Sequence, residues 1–298
     1  MHPNKKEIII CLLAFLALGI AASFFYRTWK EDKGVVQVNV YDLIASDPYA
    51  ILVVNRPALL SHMLQEKKAL DDLFRNEIPA SLLAFLQQNA ELPSVFSFHP
   101  QGSVLYVKAN SSRLYALEKN LLSSLDHGYT PRKQKKYGID FYYYPDVENR
   151  FLGYYEHEGV WVVSYSRKLL EEVALQQVTG ETSLPNEPYM LRKTIDPNSP
   201  LNILFKVDPL DLYVNLNDST EWRIQDKWLA ADLFFNEGNI CSHGGYPYYA
   251  ALDTMYGAMA DTLSQRLRIL FPPLQPVFEI NKEEDRVYYT GCSPLSGH

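Results

Sequence analysis

The sequence predicts an α+β fold: an N-terminal transmembrane helix, then mixed or antiparallel sheets with helices packed on one face, readable as two similar halves. Three observations carry that expectation. Residues 8–26 form an uncharged apolar run, and short β-branched or aromatic runs such as AILVV, VLYVK and VWVVS recur between turn signals. Between those runs lie segments whose leucines repeat at helical spacing.

The leading run, IIICLLAFLALGIAASFFY, holds nineteen residues, eleven of them Ile, Leu or Phe. Each such residue is worth about 0.3–0.6 kcal/mol at a helix centre, so bilayer insertion is favoured by roughly 3 to 7 kcal/mol. At ~1.5 Å per residue the run matches the ~30 Å hydrocarbon core. Tyr26 and Trp29 follow where an aromatic belt belongs, beside Arg27 and Lys30. A signal peptide cut near Gly19-Ile20-Ala21 or Ala21-Ala22-Ser23 is the alternative, but it would leave FFYRTW as an apolar new terminus. Lys5 and Lys6 precede the span while Arg27, Lys30 and Lys33 follow it, so charge alone leaves the orientation open. A short basic tail before a lone span is the usual signal-anchor layout. The expectation is therefore a single pass through the cytoplasmic (inner) membrane, with the lipid bilayer as partner of residues 8–26 and the body extracytoplasmic, or periplasmic.

Beyond residue 33 the body carries 23 basic and 32 acidic side chains. That balance excludes a general nucleic-acid binder, which needs a basic face to neutralise phosphates.

The elements follow in order. VQVNVY is extended; AILVV is a buried strand; Pro57 opens a helix whose inward residues include Leu59, Leu60, Met63 and Leu64. IPASLLAFLQQ makes a second helix. VFSFHPQGSVLYVKA reads as two strands about a glycine turn, and RLYALEKNLLSSL as a helix. RKQKK reads as a solvated turn, with contact to anionic lipid or phosphate as its functional alternative. GIDFYYYPD, RFLGYYEHEG and VWVVSYS are three strands, and Ser166 N-caps the helix RKLLEEVALQQV. Residues 179–200 are a linker or long loop separating a first half, 34–178, from a second, 201–298. In the second half LNILFKV is a strand, EWRIQDKWLAADLFF and NICSHGG form a hairpin across Glu237-Gly238, YAALDTMYGAMADTLSQRLRILF is a long helix, and PVFEINKEEDRVYYTG closes as a hairpin.

The halves echo each other. ILVVNRPALL at 51–60 and ILFKVDPLDL at 203–212 share Ile, Leu, Pro and Leu in register. Each is a strand entering a helix through proline; duplication and chance similarity both remain open on these identities.

Chemical motifs are absent: no Gly-rich phosphate loop, no G-x-S-x-G, no H-E-x-x-H and no C-x-x-C. Neither a metal nor a cofactor is expected. Cys241 and His243 share a strand face, but with Cys292 they leave a tetrahedral site one ligand short. Cys241 and Cys292 could instead form a disulfide in an oxidising compartment, or stay as two buried thiols. His157 lies between Glu156 and Glu158 beside a turn, which fits a solvated hairpin end better than an acid–base pair. The tyrosines are the candidate binding surface: Tyr142, Tyr143, Tyr144, Tyr154, Tyr155, Tyr246, Tyr248 and Tyr249. Such rings stack on sugars or peptides, although aromatics also pack between neighbouring strands.

At KWLAADLFFNEGNICSHGG, Trp228 and Asp232 share a strand, a glycine-containing turn follows, and a Gly-ended return strand precedes a long helix and Pro272-Pro273. With the span and the Pro57 junction, this pattern resembles a group of uncharacterised membrane-anchored envelope proteins of Bacteroidetes-type bacteria, carrying a domain of unknown function. The resemblance implies an α+β body outside the inner membrane and transfers no catalytic residue. The function expected from the sequence is a non-catalytic binding or scaffolding module for a protein or envelope polymer. The alternative is an envelope glycan or peptide hydrolase using Asp140, Asp146, Glu156 and Glu158.

Overall fold

The computed structural model describes residues 38–60, 78–89, 91–108, 111–125, 128–146, 150–184, 195–207, 227–236, 239–247, 277–281 and 286–294, besides 18–23, 26, 188 and 191. Twelve strands form one antiparallel sheet in the order β11-β12-β10-β9-β8-β1-β2-β3-β7-β6-β5-β4. In chain order they are β1 (Ala50–Val54), β2 (Ser94–His99), β3 (Gly102–Lys108), β4 (Arg132–Lys136), β5 (Ile139–Pro145), β6 (Phe151–His157), β7 (Val160–Ser164), β8 (Leu201–Val207), β9 (Lys227–Asn236), β10 (Asn239–Pro247), β11 (Val277–Asn281) and β12 (Arg286–Pro294). Three helices are described: α1 (Ala80–Gln88), α2 (Ser111–Ser124) and α3 (Arg167–Thr179).

The central strands are apolar at consecutive positions, so both faces must be covered. Leu52, Val54, Leu105, Val107, Trp161 and Val163 join Leu82 and Phe85 of α1 and Leu117 and Leu121 of α2 in one core. Ile51, Val104, Tyr106, Val160 and Val162 point the other way, into a core with Leu169, Leu170, Val173 and Ala174 of α3. The expectation of helices on one face is thereby corrected. A strand such as VWVVS, buried along its whole length, cannot leave one face to water. Helix α3 starts as expected, with Ser166 Oγ accepting from Leu169 N at 3.4 Å, and stops at Gly180, whose φ of 71° suits a left-handed C-cap.

Two local expectations also change. Residues Val40–Leu43 form a 3-10 turn rather than continuing an extended VQVNVY, because the Asn39 side chain caps Tyr41 N. RKQKK is no turn: it is β4, the edge strand beside β5. Its charged side chains, four of the five residues being exposed, discourage pairing with another chain. Within the segment expected as a linker or long loop, Leu184 and Leu191 enter the α3-side core.

The echoed segments pair with each other. Ile51 faces Leu204 and Leu52 faces Ile203 across the β1–β8 ladder, so the matched residues are related by a local two-fold axis. The order β1-β2-β3-β7 on one side mirrors β8-β9-β10-β12 on the other. In each, three consecutive strands are followed by an excursion whose last strand returns beside the third.

Among the described residues no helix is long and apolar enough to cross a membrane; residues 18–23 are helical, and most of 8–26 lies outside the described residues. The Glu237-Gly238 turn, the helix expected over 249–271 and the one expected to run on past Leu60 also lie mainly or wholly outside them.

Cys241 and Cys292 face each other between β10 and β12 and are joined as a disulfide, with a Cα–Cα separation of 4.0 Å. The bond closes a loop spanning 51 residues, for which chain entropy gives about 4 kcal/mol of stabilisation. Reduction, or Cys292→Ser, is expected to lower the free energy of urea unfolding by up to that amount. Equal midpoints with and without reductant would show that the bond contributes nothing.

Candidate functional site

Consecutive strand residues point to opposite faces, and this divides the tyrosines. Tyr144 and Tyr154 are buried in the α1/α2-side core, Tyr155 in the α3-side core. Tyr154 stacks on Tyr142 at 5.3 Å between centroids and donates to Glu118 Oε1 at 2.7 Å. Burial and that carboxylate push the Tyr154 hydroxyl far above the usual tyrosine range. Tyr144 Oη accepts from Tyr129 N at 3.0 Å. These rings are core, not a platform. Tyr246 is placed in β10 by its backbone, and Tyr248 and Tyr249 lie outside the described residues. Among the described side chains of the eight, Tyr143 alone lines one of the two cavities described below.

Tyr143 sits in a groove of about 780 Å³ at the β4–β6 end of the sheet beside the start of α3, lined by Arg132, Lys133, Gln134, Tyr143, Arg150, Phe151, Gly153, Tyr165 and Arg167. Edge strand β4 supplies one wall and the first residue of α3 another. The floor is Gly153, where an added Cβ would lie 2.7 Å from Leu170 Cδ2 and 3.1 Å from Tyr143 Cε1, so only glycine lets α3 close over this row. The cations are set against rings: Arg150 Cζ lies 5.3 Å from the Tyr165 centroid and Arg167 Cζ 5.6 Å from that of Tyr143. Glu171 stands behind them, accepting from Lys136 and Arg167 at 2.8 Å each. Burial alone would raise its pKa; the two cations outweigh burial and hold it below the ordinary glutamate value. Tyr165 is fixed from both sides, donating to Asp146 Oδ2 at 2.5 Å and accepting from Ser81 at 2.6 Å. Phe151, 56% exposed, forms an apolar lip.

A second cavity, of about 580 Å³, lies across β9, β10 and β12 and is lined by Arg56, Leu59, Asp196, Asn198, Ser199, Pro200, Asp232, Phe234, His243 and Thr290. Asp232 is 2% exposed. It accepts from Asn202 Nδ2 at 2.7 Å and from Asp196 N at 2.9 Å, and Asn55 donates to Asn202 at 2.7 Å. Burial raises the Asp232 pKa, against those hydrogen bonds and the nearby His243.

The carboxylates expected for hydrolysis are not gathered. Asp140 pairs with Lys133 at 2.8 Å at one end of β5, and Asp146 is held by Tyr165 beyond the other end. Glu156 accepts from Gly159 N within the β6–β7 turn that also contains Glu158. His157 ends β6 beside these two, half-buried, its carbonyl accepting from Gln177. No group of three or more His, Cys, Asp or Glu among the described residues could hold a metal.

A third polar cluster is interior. His99 Nδ1 donates to Ser46 O at 3.1 Å, Nε2 accepts from Ser97 Oγ at 2.8 Å, and Tyr106 Oη donates to Ser97 at 3.2 Å. Ser46 in turn donates through both N and Oγ to Glu172, at 2.7 and 2.6 Å. Burial lowers the pKa of the ring, against the opposing pull of Ser46 O, Glu172 and Asp47.

No protein-family model matches the chain, and no curated protein sequence matches it. Solved structures of TP0453 align with the chain. Crystal form I aligns at TM-score 0.48 and 13% identity over 87% of this chain and 94% of that one. Crystal form III aligns at 0.47 and 11%, over 87% and 95%.

Because the folded pKa of His99 lies below its unfolded value of ~6.5, its contribution to stability is complete above that pH and is lost as pH falls towards the folded value. The urea midpoint is expected to drop below about pH 6.5, and His99→Asn, which retains a donor for Ser46, to flatten that dependence. An unchanged slope in the variant would assign the effect to other groups.

Proposed function

We propose that this protein is a membrane-anchored, extracytoplasmic binding module whose groove between β4 and α3 holds an anionic envelope polymer. The observation that carries the reading is the lining itself: Arg132, Lys133, Arg150 and Arg167, with no carboxylate among the described lining residues, in a chain of net charge −7. With the surrounding Lys136, Asp140, Asp146 and Glu171 counted, cations still outnumber carboxylates five to three among these described residues. Three of the lining cations are arginines, whose planar forks match carboxylate and phosphate oxygens two at a time. Tyr143, Tyr165 and Phe151 supply ring faces for sugar rings between the acidic groups. The acidic remainder of the molecule repels a polyanion elsewhere, which confines binding to this groove. The apolar run at 8–26 motivates the anchor, and nothing in the groove calls for chemistry on the ligand.

The test is titration of the full chain with a phosphate-bearing cell-wall glycan and with neutral dextran. Binding to the first only is expected, weakening with salt. Arg150→Ala with Arg167→Ala is expected to cost on the order of 100-fold, since each charge-assisted contact is worth about 1.5–3 kcal/mol. Equal binding to dextran, or undiminished binding by the double variant, would overturn the reading.

A further inference from the structure

We infer that Thr290, His243 and Asp232, brought side by side on three neighbouring strands in the second cavity, act as nucleophile, general base and positioning carboxylate in hydrolysis of a small anionic carboxylic ester. The site is independent of the basic groove and uses none of its residues.

The register builds the row. Asp232 on β9 faces His243 on β10, and His243 faces Thr290 on β12. All three line the same cavity, so their side chains share one face of the sheet. Directly opposed residues have Cβ atoms about 4.5–5.5 Å apart, a spacing at which one imidazole reaches a carboxylate on one side and a hydroxyl on the other.

Burial is graded along the row: Asp232 is buried, His243 half-buried and Thr290 exposed. A buried, hydrogen-bonded carboxylate can orient an imidazole, and an exposed hydroxyl can meet a substrate. Asp232 is held by Asn202 and by Asp196 N, which fixes its oxygens. Those two bonds account for its burial. They do not call for a histidine and an open hydroxyl beside it.

Two residues along, Cys241 and Cys292 clamp the same pair of strands, which keeps His243 and Thr290 in register. Arg56 on the cavity wall selects an anionic acid portion, while Leu59, Pro200 and Phe234 give it an apolar bed.

The chemistry balances with water as the only co-reactant. Thr290 Oγ1 adds to the ester carbonyl carbon as His243 takes its proton. The tetrahedral adduct collapses, the C–O bond to the alcohol breaks, and His243 returns the proton to the departing alkoxide. Water then adds to the Thr290 ester, giving a proton to His243. Collapse releases the carboxylic acid, and Thr290 Oγ1 recovers the proton.

The full chain is assayed with p-nitrophenyl hemisuccinate, beside p-nitrophenyl acetate as the uncharged control. Release of p-nitrophenol above buffer background is expected, faster with the hemisuccinate. Thr290→Val and His243→Gln are each expected to lower it on the order of 100-fold or more, and Thr290→Ser to retain it. Asp232→Asn, if purely structural, would change unfolding alone; as a positioning residue it lowers kcat with KM unchanged. Since Thr290 is exposed, Thr290→Val should fold normally, checked by circular dichroism. No turnover between pH 6 and 9, or a folded Thr290→Val variant working at the parental rate, would overturn the inference. Reduced groove binding leaves this assay unaffected, so the two sites fail separately.

Discussion

Every other element is placed relative to the β1–β8 ladder. Ile51, Leu52 and Val54 of β1 and Leu201, Ile203 and Leu204 of β8 are all buried, with five residue pairs in register. A one-residue slip would exchange the residues serving the α1/α2-side core with those serving the α3-side core. Because both cores are apolar, the register must also be pinned by polar groups. Asn55 does this from the end of β1, donating to Ser199 O and Asn202 Oδ1 at 2.9 and 2.7 Å, while its own N–H and that of Arg56 reach Pro200 O. The same residues lead on to Asp232, so the pin at the centre of the sheet also braces the second cavity.

Edge strand β4 meets two demands with one composition. An edge strand must discourage further strand pairing, and positive side chains do so cheaply. Of those side chains, Lys133 lies 5.6 Å from the Tyr142 centroid and pairs with Asp140, and Lys136 reaches Glu171 of α3. Protection of the edge thus creates a local field opposite in sign to the whole molecule. The groove is a product of where the sheet ends.

Much of this was legible in the residues. Period and punctuation gave α1, α2, α3 with its Ser166 cap, and the hairpins, because those signals are local. The second covering face was legible too, though unread: VWVVS and VLYVK lack the alternation of a half-solvated strand. FYYY carried the same message in reverse, since neighbours in one strand cannot share a surface. What the chain could not disclose is adjacency across distance. Arg150, Tyr165 and Arg167 converge with Arg132 only because β4 through β7 fold back in order, and Asp232, His243 and Thr290 meet only through pairing of β9, β10 and β12. No spacing in the sequence encodes those neighbours.

The local two-fold relating β1 to β8 has a historical consequence. Two copies of a smaller chain, joined edge to edge through their first strands, would make this same antiparallel seam, as isologous dimers do. Fusion would then have freed each copy to diverge. The half around β1 carries hairpins and an Arg-rich rim; the half around β8 carries a cross-strand disulfide and a cavity of mixed charge. The seam thus joins two like strand starts whose far ends carry unlike surfaces.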